Sequence, residues 1–547
     1  MLGPNKSTRV TKNLSCALCA CSWLVFAFFF SAPTAVAQQH EAFLSELQQR
    51  SFRCFWEQAD PQTGLVPDRA RTDGAPLPPS HQNVASIAAT GFGLTSLCIA
   101  VDRNWIAKGQ ALERTRNTLR FFDARAFHQR GWFYHWMDSK TGDRRWNSEV
   151  SSIDTALLLA GVLTVRQCFR EDREVVTLAD RIYRRVDFRW MLNGHPLLLS
   201  HGWKPESGFL KTRWDTYSED TILYLLAIGS PSHPIPPGSW HALWRDRYRY
   251  EGHSYFTTIG VPLFMHQYSH AWIDYRNRRE TRGDRIDYFK NSVAATLAHR
   301  AFCINLAHEF PAFGSDVWGI TASDSAKGYL AWGGPPRDPN IDGTIVPSAA
   351  GGSLMFTSEL ATRALHTMHA KYGAKIYGKY GFVDAFNPKI GWVDTDVIGI
   401  NAGIILLSAE NMRTGNVWRW FMQNREIPLA LTKVGLLKYS SRQPSPNELP
   451  NPRITASRTT SILINVQMKV MVLFTRGDEM TFTVEFERDD DGRWLAEVVE
   501  LPGVLAYGEN SDEAIAKAQA LALRILADRL EHAEGKPEFV SISFAAA

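Results

Sequence analysis

The stretch that decides the fold is VSSIDTALLLAGVLTVRQCF, residues 150–169. Its apolar residues recur at helical spacing over about five turns. Similar patterns recur on both sides of it, which predicts a mainly α-helical body. The predicted helices are residues 40–59, 84–102, 106–126, 150–169, 173–192, 218–227, 288–308 and 347–372.

Loops rich in Gly, Pro, Asp and aromatic residues separate these helices. Many helices of similar length joined by long loops suggest stacked helical hairpins, and hairpins that close into a ring form an (α/α)6 toroid. An open α-solenoid is also built from helix pairs, so the pattern alone leaves both architectures open. The loops are residues 131–146, 199–217, 230–240, 318–344 and 380–401.

The chain has 547 residues, a length that favours two or more domains. Its hydrophobic fraction of 45% excludes wholesale disorder, a collagen-like fibre and a disulfide miniprotein. The net charge of +4 gives no sign of a nucleic-acid-binding protein. Residues 480–547 hold 14 acidic and 6 basic residues, so their charge is −8 and the rest of the chain carries +12. This asymmetry indicates two units of different origin.

The N-terminus has the order of a secretory signal peptide: a basic start, an apolar run at residues 14–30, and the Ala-x-Ala site at Ala35 and Ala37. We expect cleavage after Ala37 and a periplasmic or secreted protein. An uncleaved membrane anchor is the alternative, because the run is only slightly short for a span. The predicted plan is a signal peptide at 1–37, a catalytic body at 38–437, a Pro-rich linker at 438–479 and a small domain at 480–547.

Aromatic residues stand beside Asp, Asn and His in the loops of the body. The flat C–H faces of sugar rings pack on aromatic side chains, and sugar hydroxyls need fixed hydrogen-bond partners. The clusters therefore predict a carbohydrate site, although each single Trp could equally belong to the core. The candidate substrate-binding residues are Trp146, Trp214, Asp215, Tyr217, His266, Gln267, Tyr268, His270, Trp318, Asp384 and Asn401.

Glycoside hydrolysis requires two carboxyl groups, one as acid and one as base or nucleophile. Glu219 is the best acid candidate, because it follows aromatic residues at the start of an apolar helix. A helix N-terminus lowers the pKa of a carboxyl, so burial has to outweigh the helix dipole there. Asp154, on an apolar helix face, and Glu149 are further candidates, as is Asp396 in a loop before residues 397–408.

A metal site is the alternative interpretation of one segment. His266 and His270 are spaced i, i+4, and Asp274 follows one turn later, which is a spacing that can ligate a metal. A further ligand is not evident nearby, and the intervening aromatic residues suit a sugar better. We therefore predict no metal.

Several of these segments resemble the bacterial glucoamylase-like family, which includes secreted endo-beta-1,2-glucanases and a module of cyclic beta-1,2-glucan synthases. The resemblance covers roughly residues 40–424. It implies an (α/α)6 toroid and cofactor-free, anomer-inverting hydrolysis of a beta-glucan, best matched by beta-1,2-linked glucan. The matching segments are residues 146–161, 202–206, 214–219, 266–270, 291–293, 317–324, 380–387 and 410–415.

The resemblance also bears on individual residues. Glu219 matches the family's Glu after a Trp-Asp-x-Tyr motif and is the plausible acid, whereas Asp154 and Glu149 match acidic residues of its first signature. Many members read Ile-Asp-Gln-Gly where this chain has Asn401 after Ile. An Asn cannot act as a base, although it can bind a sugar, so Asp394 or Asp396 would have to compensate.

The tail resembles HicB-type antitoxins, which have a partial RNase-H-like α+β fold and neutralise a small toxin that acts on RNA. The resemblance is carried by residues 481–488, 495–498, 500–508 and 512–514, and Met480 stands where an independent protein of this kind would begin. An antitoxin belongs in the cytoplasm, which conflicts with an exported body. We therefore consider that the tail is the product of a neighbouring gene, with a small toxin as its partner.

Three functions remain open on the sequence. The first is an exported beta-glucan hydrolase that binds an oligo- or polysaccharide and no nucleic acid. The second is a polysaccharide lyase on the same toroid, with Tyr217 or Tyr268 as base. The third is a glycan-binding protein that has lost its base, as Asn401 suggests.

Overall fold

The computed structural model describes Gly3 and residues 35–258, 262–439, 468–474, 479–488, 494–498, 505–531 and 539–544. It divides the chain into two compact units, Met1–Arg442 and Gln443–Ala547. The apolar run of the predicted leader and most of the predicted linker lie outside the described residues. Among the residues that are described, no helix combines the length and apolarity needed to cross a bilayer.

The first unit is rich in helices, as the apolar periodicity predicts. Its helices are α1 (Ala35–Gln58), α2 (Ile87–Asp102), α3 (Lys108–Ala124), α4 (Ser152–Cys168), α5 (Arg173–Arg185), α6 (Phe188–Met191), α7 (Thr221–Gly229), α8 (Gly238–His241), α9 (Tyr268–Trp272), α10 (Tyr288–Leu306), α11 (Pro347–Gly352), α12 (Ser358–Tyr372), α13 (Gly399–Arg413), α14 (Asn416–Phe421) and α15 (Glu426–Lys433), with 3-10 turns at Leu263–His266 and Gly373–Lys375.

Two of the predicted helices are each divided in the structure. The predicted helix at residues 173–192 stops after α5, because Asp187 accepts a hydrogen bond from the backbone N–H of Trp190 and begins α6. The predicted helix at 347–372 is interrupted between α11 and α12. In contrast, the residues that begin α13 were assigned to a loop from sequence, although the helix starts at Gly399.

Helices α2, α4, α7 and α13 form the interior of this unit. Almost every residue of these four helices is buried, which fits their apolar sequences, because a helix that is hydrophobic all round must be covered on all sides. Helix α2 packs against α4 and α13, and α4 packs against α5 and α7. Helix α5 is amphipathic and buries one face only.

Glycines allow α2 and α4 to approach each other at backbone distance. A Cβ atom added to Gly91 would lie 2.1 Å from the carbonyl oxygen of Leu157, and one added to Gly161 would lie 2.2 Å from that of Gly91. No side chain fits at these distances, so both positions require glycine. The two helices are therefore locked in one relative position.

Short antiparallel pairs of strands lie between the helices of the first unit. Strands β2, β6 and β16 run directly into the N-termini of α2, α4 and α13, and they bring these helix ends to the functional site. The strands are β1 (Arg69–Arg71), β2 (Val84–Ser86), β3 (His128–Gln129), β4 (Trp132–Phe133), β5 (Trp136–Asp138), β6 (Val150–Ser151), β7 (Gly202–Lys204), β8 (Gly208–Phe209), β9 (Asp246–Tyr250), β10 (His253–Thr257), β11 (Arg278–Glu280), β12 (Tyr377–Gly378), β13 (Gly381–Phe382), β14 (Phe386–Asn387), β15 (Trp392–Val393), β16 (Asp396–Ile398) and β17 (Leu436–Lys438).

The second unit contains a five-stranded antiparallel sheet and a helix. The elements are β18 (Met468–Phe474), β19 (Glu479–Arg488), β20 (Trp494–Val498), β21 (Leu505–Gly508), α16 (Ser511–Glu531) and β22 (Phe539–Phe544). The strand order is β21-β20-β19-β18-β22, and α16 contacts β19, β20 and β21. Strand β18 belongs to this sheet although it precedes Met480, where the sequence analysis placed the start of the domain.

The N-cap of α16 is Asn510 and not the neighbouring Ser511. The backbone N–H of Glu513 donates a hydrogen bond of 2.9 Å to the side chain of Asn510. Asp512 and Glu513 make the first turn of the helix acidic. Asn is as good an N-cap as Ser, so the local sequence does not discriminate between the two positions.

Candidate functional site

The N-termini of α2, α4, α7 and α13 meet in one region. The backbone N–H of Ile87 in α2 donates to the carbonyl of His135 beside α4, and that of Gly399 in α13 donates to the carbonyl of Asp68. Ser269 in α9 donates its hydroxyl to the carbonyl of Glu219 just before α7, at 2.6 Å. Four buried helices therefore carry their first turns, and the loops before them, to the same place.

Glu219 is a buried carboxyl without a full set of partners. It is 8% exposed, and its Oε2 atom accepts no hydrogen bond from the described residues. Burial raises the pKa of Glu219 to about 7, and the nearby charge of Asp154 adds to the rise. Desolvation thus outweighs the hydrogen bonds that lower this pKa, as an acid requires. The carboxyl can hold a proton near neutral pH.

A histidine joins two other predicted carboxylates. His135 Nδ1 lies 3.1 Å from Glu149 Oε1, and His135 Nε2 lies 3.4 Å from Asp154 Oδ1. Burial lowers the pKa of His135, but the charges of Asp154 and Glu149 outweigh it, so the pKa is raised. The two carboxylates thus favour the protonated, cationic form of His135. It lies in one of the aromatic loops but is not among the predicted site residues.

The environments of the two carboxylates differ. Burial raises the pKa of Asp154, and neither the charge of His135 nor the 2.6 Å hydrogen bond from Ser151 Oγ cancels the rise. Burial also acts on Glu149, but the hydrogen bond and charge of His135 prevail and lower its pKa. Glu149 is therefore a stable anion, whereas Asp154 can change its protonation state nearer to neutral pH.

A second acidic cluster consists of Asp324, Asp384 and Asp394. Burial raises the pKa of Asp384 to about 8 and that of Asp394 to about 7. Arg69 contacts Asp324 at 2.6 Å and Asp396 at 3.5 Å. The predicted catalytic residue Asp396 is therefore held in an ion pair on strand β16, whereas Asp324 was not predicted at all.

Tyr268 and Asn401 connect the two groups of acidic residues. The hydroxyl of Tyr268 donates to Asn401 Oδ1 at 3.1 Å, and Asn401 Nδ2 donates to Asp384 Oδ1 at 2.7 Å. Burial raises the pKa of Tyr268 well above its ordinary value. The charges of Glu219, Asp384 and Asp154 raise it further, so all three carboxyls lie near this ring. The structure thus brings together most of the predicted carboxylates, together with Tyr268 and Asn401.

Aromatic rings border the site. Trp136 stacks on His135 with ring centroids 3.5 Å apart, and Trp146, which is 43% exposed, packs edge-on against Trp136. Trp214 is anchored by a 2.8 Å hydrogen bond from its indole N–H to Ser152 Oγ at the start of α4. Tyr329 is 52% exposed and was not predicted. These rings offer apolar faces beside acidic groups, as a sugar site requires.

Five predicted binding residues are buried inside the fold and hydrogen-bond within it or pack in its core. Gln267 donates to the carbonyl of Ala349 and to Ser353 Oγ, both at 2.9 Å. The others are Tyr217, whose hydroxyl lies 3.4 Å from His266 Nδ1; His266, which also contacts Thr257; His270, which contacts Ser292; and Trp318, which is fully buried. Asp215 is the opposite case, since it is exposed.

The two histidines of the metal interpretation do not converge. His266 and His270 contact different hydroxyl groups, and burial lowers the pKa of each to about 3, so both are neutral. Asp274, the third residue of that pattern, pairs with Arg276 at 2.8 Å. The i, i+4 spacing here is that of two core histidines with hydroxyl partners, supplied by Thr257 and Ser292.

Comparisons with known proteins show which chains this protein is similar to. The family model "Putative glucoamylase" matches residues 211–425. An exo beta-1,2-glucooligosaccharide sophorohydrolase (non-reducing end) of Parabacteroides distasonis is 26% identical over an alignment of 443 positions, and the match covers 74% of this chain. This chain spans only 59% of the length of that relative.

Solved structures extend the comparison. An endo-beta-1,2-glucanase from Chitinophaga pinensis, in complex with sophorotriose and glucose, is 30% identical; the match covers 73% of this chain and 98% of that one, with a TM-score of 0.68. A beta-1,2-glucanase from Parabacteroides distasonis is 25% identical over 72% of this chain and 60% of its own, with a TM-score of 0.67. These named relatives are glycoside hydrolases. The match at 30% identity over 98% of the Chitinophaga pinensis enzyme shows that the chain belongs to the glucoamylase-like family.

Proposed function

We propose that this protein is an exported glycoside hydrolase that cleaves beta-1,2-linked glucan with inversion of the anomeric carbon. The observation that carries the proposal is the buried, partly unpartnered carboxyl of Glu219, with its pKa raised to about 7, beside Asp154. The names of the relatives support the substrate, and the signal-peptide pattern supports export.

Glu219 acts as the general acid. Below its pKa it holds the proton that the departing glycosidic oxygen needs, and it delivers that proton as the bond to the anomeric carbon breaks. Its buried position favours the neutral form before the reaction. Proton transfer leaves a carboxylate there, and the helix dipole at the start of α7 then stabilises this charge.

Asp154 acts as the general base. The charge of Asp154 raises the pKa of Glu219, which supports a common site for the two carboxyls. The raised pKa of Asp154 gives its carboxylate the basicity to accept a proton from water. Protonated His135 contacts Oδ1 of Asp154 through its Nε2 atom. Through its Nδ1 atom it contacts Oε1 of Glu149 and favours the ionised form of that carboxyl. His135 and Glu149 therefore position the base and do not themselves react.

The inner helices of the body are proposed to close into the (α/α)6 toroid. The support is the set of buried helices α2, α4, α7 and α13 under an outer layer that includes the amphipathic α5. In such a ring, the N-termini of the inner helices lie at one end and surround a cleft. Asp154 and Asn401 lie in the first turns of α4 and α13, and Glu219 lies just before α7.

The test of this function is a panel of linear beta-1,2-, beta-1,3-, beta-1,4- and alpha-1,4-glucans incubated with the full chain. We expect products from the beta-1,2-glucan alone, with the new reducing end appearing first as the alpha anomer by NMR. A beta anomer would contradict inversion, and binding without released reducing ends would favour the glycan-binding alternative. Products that absorb in the ultraviolet would indicate a lyase.

The lyase alternative receives little support from its candidate bases. Burial raises the pKa of Tyr217 to about 12, and its hydroxyl is directed at His266 inside the core. The pKa of Tyr268 is also raised, and its proton is engaged by Asn401. A base has to lose its proton near neutral pH, which neither environment favours.

For the C-terminal unit we propose the HicB-like fold and a small toxin as partner. Support comes from the antiparallel sheet with one helix, α16, packed on β19, β20 and β21. The origin of this unit is open to a direct test, intact-mass analysis of the protein from its native source. A secreted species that still contains Trp494 would contradict the idea that the tail is a separate gene product.

A further inference from the structure

The cluster of Asp324, Asp384 and Asp394 has a geometry that the proposed hydrolysis does not use. One carboxylate oxygen from each residue lies within 4.8 Å of the corresponding atom of the other two. Oxygen ligands of Ca²⁺ lie about 2.3–2.6 Å from the ion, so two ligands on opposite sides of one ion are separated by up to about 5 Å. The three carboxylates are therefore close enough to share a single cation.

Asp394 supplies an independent observation. It is 9% exposed, and its Oδ1 atom accepts the backbone N–H of Asp396 at 3.1 Å. Its Oδ2 atom is buried and accepts no hydrogen bond from the described part of the chain. A buried oxygen without a partner is costly, and a bound ion would remove that cost.

The charges around the cluster are unbalanced. Arg69 pairs with three carboxylates, those of Asp324, Asp68 and Asp396, and only Asp324 belongs to the cluster. Asp384 and Asp394 have no ion pair with a basic side chain within the described residues. Arg71 influences Asp394 from farther away and is itself paired with Asp73 at 3.3 Å.

The hydrogen bonds of Asp384 fix its orientation. Asn401 Nδ2 donates to its Oδ1 at 2.7 Å, and the backbone N–H of Asp324 donates to its Oδ2 at 2.8 Å. Each of these oxygens retains a lone pair for another contact. Residues that orient a ligand in this way are typical of metal sites, where outer contacts hold the carboxylates in place.

We propose that Asp324, Asp384 and Asp394 bind one divalent cation, with Ca²⁺ preferred over Mg²⁺ and Zn²⁺. The donor set consists of oxygen atoms, which suits Ca²⁺, and it contains no His or Cys that would favour Zn²⁺. The ion would tie the loop of Asp324, whose hairpin carries Tyr329, to the segment just before strand β16, where Asp394 lies. The site lies outside the acid–base machinery proposed for hydrolysis.

The test is calorimetric titration of the chelator-treated full chain with Ca²⁺ alone, together with its melting temperature. We expect one site per chain, a higher melting temperature with Ca²⁺, and weaker binding of Mg²⁺. Asp394→Asn is expected to lower the Ca²⁺ affinity by more than about tenfold. Asp316→Asn is the matched control, because Asp316 lies in a surface pair with Arg363 and should leave binding unchanged.

Several outcomes would overturn the proposal. If the wild type shows neither binding heat nor a shift of its melting temperature, protons shared between the carboxyls, and not an ion, reduce the repulsion within the cluster. Equal binding by Asp394→Asn, or by Asp384→Asn if the first variant does not fold, would exclude these ligands. Loss of binding in His135→Ala would place the ion at His135, Glu149 and Asp154 instead. Titration of Glu219→Gln keeps the result independent of catalysis, since that variant should bind Ca²⁺ like the wild type.

Discussion

Glu219→Gln is expected to lower kcat on beta-1,2-glucan by roughly a thousandfold, about 4 kcal/mol in activation free energy, because general acid catalysis contributes about 10²–10⁴-fold. Glutamine has nearly the shape of glutamic acid and carries no proton for the leaving oxygen. Initial rates of reducing-end release would measure the loss. Glu309→Gln is the matched control, since Glu309 is a surface residue paired with Arg337 at 2.9 Å.

The pH dependence provides a second readout for the same variant. The pKa of Glu219 is raised from 4.5 to about 7, so the wild-type rate should fall as the pH rises through about 7. The residual rate of Glu219→Gln should lack this alkaline limb. A wild-type-like rate, or an unchanged alkaline limb, would exclude Glu219 as the acid.

The same shift predicts how the variant folds. A carboxyl whose pKa is higher in the folded state favours folding while it is protonated, and this contribution is lost as the pH rises from 4.5 through about 7. Glutamine stays neutral throughout. Glu219→Gln should therefore melt at or above the wild-type temperature at alkaline pH, which separates lost chemistry from lost structure.

Asp154→Ala is expected to lower kcat by about 10²–10⁴-fold, because water then attacks without a base. The small side chain leaves room for an external nucleophile. Added azide should restore part of the rate and give a glucosyl azide of alpha configuration, which NMR and mass spectrometry would detect.

Asp396→Ala is the comparison variant for the base. Asp396 is engaged by Arg69, so its removal should not create a site that azide can rescue. Rescue of Asp396→Ala by azide, with no rescue of Asp154→Ala, would assign the role of general base to Asp396. A beta-configured azide product would contradict single displacement with inversion.

The helix-rich body and the family could be predicted from the sequence, because both depend on local signals. Apolar periodicity marks α4 over its whole length, and the motif around Trp214 leads directly to Glu219. Boundaries were less certain where a cap decides them. Asp187 restarts the chain as α6 within a continuous apolar pattern, and Asn510 and Ser511 are equally good caps.

The full set of residues that form the site could not be predicted, because these residues lie far apart in sequence. Asp324 reaches Asp384 only after the loop that carries it folds back, and no local pattern reports that contact. His266 and His270 resembled ligands because their partners, Thr257 and Ser292, lie on other elements. His135 was overlooked because a histidine in an aromatic loop gives no sign of the two carboxylates it will join.

The close contact of Gly91 with Gly161 determines which parts of this protein can vary in evolution and which cannot. It fixes the relative position of α2 and α4, and with it Asp154, to within the tolerance of a backbone contact. New substrates would then have to be accommodated by exchange of loops such as the one carrying Tyr329, and not by any shift of the helices. Divergence in linkage preference should accordingly be recorded in the lengths and sequences of loops, above an inner framework that stays the same.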